Sequence, residues 1–439
     1  MKNQIRKSLI NSIKNRREFI LFYLIFTYYF FINIFQITLK KGKPIVLAVD
    51  RPRFNLDATQ LKKNKNIRLI VVSRKIFYFI GKVFIKKDFQ LQSSYHFRKK
   101  EDIALWNKTI GMIHSDVHEK ILDFEAKILQ LNLDKKNLYS YYEYLYKKYL
   151  EKFNISHLLL SNVDYWEVQE FSKVLKKNGT RINILYRESI ASPKQTNYLK
   201  NYYSSDCFKN LSVDKIFVFG EKAKNIFKDT LFVNNENVHS VGAPRIDYYK
   251  NIKNLPIKNM VTLFDFSLPS YKLQNTAFET ILILYKLSKK YPNIKFLVKT
   301  KTQKETNKII SKNLVKNSSN FQVSNNVKMK KIMENSKIII GTNTTAVLET
   351  LFLKTHIMFP SWNVEDNNME NLIVNNKIDP SKFMIFDNPH EFEKKLEYFL
   401  NSKINISSDE NKVREKIIEQ NFSDFSFKSS EKLIDLLLV

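Results

Sequence analysis

The sequence predicts an α/β protein made of two doubly wound halves, each built on a parallel sheet. Three observations carry that prediction. Short, continuous apolar runs alternate with helix-like patterns along most of the chain, which is the signature of successive βαβ units. The alternation stops once, at the polar, proline-bearing stretch Tyr249–Met260 (YKNIKNLPIKNM), and then restarts. At 439 residues, with 44% hydrophobic and 13% aromatic content, the chain is too long for one ordinary core and apolar enough to pack two.

The first half opens with Pro44–Asp50 (PIVLAVD), an apolar run closed by a charge, as expected of a strand buried on both faces. Ile67–Ser73 repeats the pattern. Residues 117–150 read as mostly helical, and the aromatics of LYSYYEYLYKKYL read as packing surface. Strands follow at His157–Leu160, Ile182–Tyr186 and Asp214–Gly220, with helices over 166–177 and from Lys222 to Lys228. In the second half, strands fall at Val261–Phe264, Ile294–Lys299, Phe321–Val323, Lys337–Ile340, His356–Phe359 and Met384–Phe386. Helices are expected over 274–290 and 303–313. The first of these spaces Phe278, Ile281, Leu282 and Leu284 for one buried face, and Lys289, Lys290 and Pro292 stop it. The expected division is a basic tail and membrane-associated helix over 1–43, a first domain over 44–250 and a second over 251–439.

The formal charge is +30, but the lysines are scattered and no zinc-finger or RRM signature is present. That pattern argues against nucleic acid as a partner and for an anionic membrane surface or phosphorylated substrates. The single cysteine, Cys207, excludes an internal disulfide and a cysteine-built zinc site. Residues 1–17 carry Lys2, Arg6, Lys7, Lys14, Arg16 and Arg17, and the uncharged run Phe19–Leu39 follows. Its length suits a bilayer span, and its polar residues suit a helix lying in the interface; both leave the chain at a membrane, with a buried helix of a soluble domain as the third reading.

Two constellations could carry chemistry. In Ile338–Glu349 (IIIGTNTTAVLE) an apolar run ends at Gly341, and Thr342, Asn343, Thr344 and Thr345 lead into a helix. Free N–H groups and hydroxyls in such a turn favour an anion. The P-loop pattern is absent, so the turn is a different kind of phosphate cradle. Glu349 lies one helical turn beyond Thr345, where its carboxylate could accept from sugar or ribose hydroxyls. The alternative is a solvated helix start. In Val238–Asp247 (VHSVGAPRID), Gly242 precedes Pro244, which fixes the direction of Arg245 and Asp247. Arg245 could grip a phosphate with two donors, or it could pair with Asp247 to brace a turn.

Together, VGAPRIDYY and IIIGTNTTAVLETLFLKTHIMFP resemble the paired motifs of bacterial surface-carbohydrate glycosyltransferases of the GT-B fold, those of capsule and lipopolysaccharide synthesis. They are similar to the CDP-glycerol glycerophosphotransferase group. The resemblance implies two Rossmann-like domains facing a cleft, with Arg245, Gly242 and Thr342–Thr345 at the donor nucleotide. Glycerophosphotransferases carry two motif histidines where this chain has Tyr186–Ser189 and Lys299–Lys301. Both are missing here, which favours sugar transfer over glycerophosphate transfer.

The chain also lacks the Asp-x-Asp element that holds a metal–diphosphate in another transferase architecture. Charge on the leaving nucleotide would then fall to Arg245, Lys299 and the threonine turn, with no cofactor beyond the nucleotide-sugar substrate. His114 and His118 are spaced for a metal but lack a third partner, so no metal site is expected. The general base would be a carboxylate at a strand's carboxyl end: Glu188 in LYRES, or Asp50. The expected activity is transfer of a sugar to a surface polysaccharide or lipid-linked acceptor at the cytoplasmic face of the bacterial inner membrane. A CDP-polyol phosphotransferase and a catalytically inactive assembly subunit are the alternatives.

Overall fold

The computed structural model describes residues 42–50, 55–73, 139–163 apart from 141 and 145, 166–187, most of 196–252, 259–264, 274–300, 303–311, 315–341, 344–362 and 384–439. Expectations for the tail, for the segment 19–39 and for His114–Glu119 lie outside the described residues. Among the described residues no helix is long and apolar enough to cross a membrane.

The first half holds β1 (Ile45–Asp50), β2 (Arg68–Ser73), β3 (Ile155–Leu160), β4 (Arg181–Leu185), β5 (Lys215–Val218) and β6 (Val238–Ser240). They form one parallel sheet in the order β2-β1-β3-β4-β5-β6. Helices α1 (Asn55–Leu61), α2 (Trp166–Lys177) and α3 (Glu221–Phe227) connect them.

In the second half, β7 (Met260–Phe264), β8 (Lys295–Lys299), β9 (Phe321–Ser324), β10 (Ser336–Ile340), β11 (His356–Pro360) and β12 (Ile385–Phe386) form a second parallel sheet. Its order is β12-β11-β10-β7-β8-β9. Counted within the half, that is the order of dinucleotide-binding sheets. Its topological switch point lies between β7 and β10, where such sheets take ligands at the strands' carboxyl ends. The connecting helices are α4 (Gln274–Lys290), α5 (Gln303–Ser311), α6 (Met329–Asn335), α7 (Thr345–Glu349) and α8 (Pro389–Asn401), then α9 (Ser408–Phe422) and α10 (Ser429–Leu438).

Alternation along each strand divides the apolar residues between two faces. Ile45, Leu47 and Val49 join a core confined to the first half, and Val261, Leu263 and Ile340 join one confined to the second. The opposite faces, Val46 and Ala48 in β1 and Ile339 in β10, belong to a third core that runs through both halves. Ile417 and Ile434 of the last two helices complete that shared core.

The last two helices pack against both halves. The 251–439 domain ends by crossing back onto the first half. Phe422 of α9 stacks on Phe219 at 6.5 Å between centroids, Lys215 Nζ donates to Leu436 O (2.6 Å), and Arg181 donates to Val439 O (2.8 Å). Arg414, 1% exposed and paired within α9 to Glu410, ties the helix to the second half by donating to the carbonyls of Leu353 and Thr355. The buried face of α9 includes Glu410, Arg414 and Asn421, so its hydrophobic pattern was too weak to read.

Two buried histidines set an acid limit on the fold. His157 in β3 and His356 in β11 are 4% and 1% exposed. Burial, reinforced by Arg181 and Lys215 around His157 and by Arg414 and Lys337 around His356, lowers each to about 4. Both are neutral in the fold while the unfolded chain protonates them near 6.5. The unfolded state therefore binds more protons between pH 6.5 and 4, and stability falls as pH drops through that window. The loss is on the order of 3 kcal/mol at most per histidine. Denaturant midpoints from pH 7 to 4 should decline, and His356→Asn should flatten the decline.

Candidate functional site

The site lies where segments that follow the strands' carboxyl ends meet. Gly341 closes β10 and donates to Met358 O (3.2 Å). A Cβ there would sit 2.8 Å from Val347 Cγ2 and 3.3 Å from Phe264 O, so the turn passes too close to α7 and the end of β7 for any other residue. Thr344 is extended (φ −136°, ψ 134°) and its hydroxyl accepts from Ala346 N (3.4 Å), capping α7. Thr344 and Thr345 are half-buried; Thr342 and Asn343 lie outside the described residues. The turn therefore occupies the switch point of the second sheet.

Glu349 ends α7 with its side chain 8% exposed, and Arg245 of the first half reaches it: Arg245 Nε donates to Glu349 Oε1 (2.7 Å). Tyr249 donates its phenol to Glu349 Oε2 (2.9 Å). The other side of Arg245 meets Asp57 of α1. Nη1 donates to Asp57 Oδ2 (3.1 Å) and the Arg245 main-chain N–H donates to Oδ1 (2.9 Å). Arg187, just past β4, pairs with the same Oδ2 at 3.0 Å. Phe219 lies under the Arg245 guanidinium at 4.7 Å.

Among the described residues, two arginines and two carboxylates thus form a buried cluster that spans both halves. Burial alone would lower the Arg245 pKa, but Glu349 and Asp57 outweigh it and the net direction is up. Burial, then Glu349, pushes the Tyr249 phenol well above its ordinary value, so it remains a donor. Farther along the same joint, Tyr248 donates to Glu334 Oε1 of α6 (2.7 Å).

The expected residues fare differently. Arg245 and Glu349 come together, and Glu349 sits one turn below Thr345 on the same helix. Arg245 Nε and Nη1 face the carboxylates of Glu349 and Asp57. Asp247 instead accepts from Ser429 N (2.9 Å) and Ser430 N (2.8 Å), holding the start of α10. Gly242 serves that same joint: its φ is +81°, and a Cβ would collide with Ser429 Oγ. Lys299 is likewise engaged, donating to Thr300 O (2.7 Å) and Asn325 O (2.8 Å), so its ammonium clasps the ends of β8 and β9. Asp50 is the last residue of β1, opposite Ser73. Glu188 lies outside the described residues, directly after Arg187.

Asp57 and Arg187 were missed. The one available signal was that Asp57 shares a helix face with Leu61, an anomalous place for a carboxylate without a partner. Among the described residues no group of three or more His, Cys, Asp or Glu side chains could hold a metal ion.

No family model and no curated protein matches the chain. Solved structures do. A UDP-N-acetylglucosamine 2-epimerase superposes with a TM-score of 0.50 at 11% identity, over 91% of this chain and 96% of that one. A putative UDP-N-acetylglucosamine 2-epimerase from Listeria monocytogenes gives 0.49 at 9% identity, over 90% and 95%. The wall teichoic acid polymerase TagF gives 0.43 at 16% identity, over 68% and 84%. At 11% identity the first of these superpositions is a likeness of fold, and it agrees with the two sheet orders in an α/β protein of two Rossmann-like halves.

Proposed function

We propose that the chain is a GT-B-type glycosyltransferase that moves a sugar from a nucleotide-sugar donor to a surface polysaccharide or lipid-linked acceptor. The observation that supports this most is the position of the Gly341–Thr345 turn. It stands at the switch point of a sheet with dinucleotide-binding order, one helical turn from the Glu349–Arg245 contact between the halves.

In this reading the N–H groups and hydroxyls of residues 342–345 meet the negative charge that develops on the leaving nucleotide, without a metal. Glu349 keeps acceptor capacity beyond its bonds to Arg245 and Tyr249, since a carboxylate offers about four lone-pair sites, and it takes the ribose or sugar hydroxyls. Arg245 holds that carboxylate in place and sets its direction. Glu188, which follows Arg187 in the chain, is the base, with Asp50 as the second choice. The basic tail and the segment 19–39 bring the enzyme to an anionic membrane at its cytoplasmic face.

A thermal-shift panel of UDP, CDP, GDP and CMP tests the donor site directly. A nucleotide at a hundred times its Kd should stabilise the fold by about 2.7 kcal/mol. Product analysis with the matching sugar nucleotides then separates the readings. Sugar appearing on an acceptor supports transfer, turnover of CDP-glycerol moves the chain to the phosphotransferases, and a changed sugar on an intact nucleotide makes it an epimerase. No shift with any nucleotide overturns the enzyme reading in favour of an inactive assembly subunit.

A further inference from the structure

The amino ends of the first sheet's strands form a level edge. Parallel register sets Ile45 of β1 beside Arg68 of β2 and Ile155 of β3, and His157 of β3 beside Arg181 of β4. The turn that leads from α1 into β2 lies on that edge and is bonded internally. Lys63 N–H donates to Gln60 O (3.1 Å), Asn64 N–H to Leu61 O (3.1 Å) and Asn66 N–H to Asn64 Oδ1 (2.7 Å). The turn exposes Lys62, Lys63 and Lys65, and Lys43 is exposed just ahead of β1. Arg68 ties the two segments together by donating from Nε to Lys43 O (2.7 Å).

Positive charge gathers at this corner of the edge. Toward β4 and β5, Lys176 is paired with Asp214 at 3.3 Å and Lys177 with Glu143 at 2.9 Å. Ahead of β3, Glu151 and Lys152 offset each other. From Ala58 to Ser73, by contrast, the chain carries Lys62, Lys63, Lys65 and Arg68 and no acidic residue. The same stretch has no aromatic side chain on which a nucleic-acid base could stack. The uncharged run Phe19–Leu39 ends five residues before Ile45, and Lys40 and Lys41 fall within that gap. Even fully extended, the backbone from Leu39 to Ile45 spans at most about 20 Å. Whatever surface holds the run therefore has this corner within reach.

We propose that this corner of the folded body is itself a lipid-binding surface, which seats the headgroups of an anionic bilayer beside the N-terminal run. The choice of occupant rests on the membrane reading of that run; the corner and its charge do not. A lysine held near an anionic bilayer strengthens attachment by about fivefold, so three together contribute on the order of a hundredfold. The effect is confined to charges within about a Debye length of the surface, which is why the position of the lysines on the fold matters as well as their number. An apolar run holds to any bilayer. The corner adds a dependence on anionic lipid and keeps the edge of the first sheet down on the membrane.

Flotation of the full chain tests it on two kinds of vesicle, phosphatidylcholine alone and phosphatidylcholine mixed with phosphatidylglycerol. Lys43→Gln, Lys62→Gln and Lys65→Gln together should weaken partition onto the mixed vesicles by about a hundredfold and leave partition onto the neutral ones unchanged. The same loss of charge at exposed positions of the second half, Lys289→Gln with Lys394→Gln and Lys416→Gln, should change neither. Equal losses in the two triple variants reduce the effect to net charge and overturn the proposal. A corner variant that binds the mixed vesicles like the wild type overturns it too, and loss of affinity for single-stranded RNA in that variant would make the corner a nucleic-acid face. If the wild type binds the mixed vesicles through these three lysines but leaves the neutral ones unbound, the membrane reading of the run fails and the lipid surface stands. Flotation with neither kind of vesicle overturns both.

Discussion

Arg245→Ala should destabilise the protein by about 3–5 kcal/mol, the range for breaking a buried ion pair from one side. The substitution leaves Asp57 and Glu349 both buried, with Arg187 the remaining cation of the cluster. It also removes the donor to Glu349 Oε1, one to Asp57 Oδ2, and the cation over Phe219. Glu349→Gln should cost less, because the amide oxygen still accepts from Arg245 Nε. Arg245→Lys should fall between the two: one ammonium on a flexible stem cannot reproduce donors that a planar guanidinium directs to two carboxylates at once. The check is a set of chemical-denaturation midpoints for the three variants. A cost below about 1 kcal/mol for Arg245→Ala would place this cluster with exposed ion pairs and undo the argument that it joins the halves.

Most of the strands were legible because they are buried on both faces and so read as apolar runs, whereas β9 and β12 are only partly buried. β6, only three residues long, emerged merely as a strand end before Gly242. The site was half legible. Gly341 and the threonines announce a turn because small residues are needed where backbone passes close to a helix, and Arg245 and Glu349 stood out as charges beside such turns. What the two charges do could not be read, since Asp57, which joins them through Arg245, is 188 residues from Arg245 and only its helix face shared with Leu61 sets it apart from a surface carboxylate. Gly242 and Asp247 of the G-A-P-R-I-D stretch also contact α10, a helix the hydrophobic pattern did not reveal. Long-range polar pairing leaves no periodicity, and periodicity is what a single sequence displays.

Gly220→Ala tests the crossing of the last two helices from the second half to the first. Gly220 has an extended backbone that any residue can adopt (φ −152°, ψ 177°), so its restriction comes wholly from contact. A Cβ would lie 2.5 Å from both Asn421 C and Gln420 O, and 2.8 Å from Asn421 Cα. These are main-chain atoms of α9, which cannot rotate away as a side chain would. α9 is fixed on its other side by Arg414 to the carbonyls of Leu353 and Thr355, so relief must come from lifting its end off α3. That movement opens the Phe219–Phe422 stack beneath Arg245. Overpacking of this kind typically costs about 1–3 kcal/mol, occasionally more, and here it falls on the joint between the halves. Faster amide exchange or proteolytic cleavage in 415–439, with the sheet of the second half still protected, is the expected outcome. Asn421→Ala added to Gly220→Ala should give no rescue, because the obstruction is backbone; full recovery in that double variant would show that the close approach is made by side chains and that α9 is free to adjust.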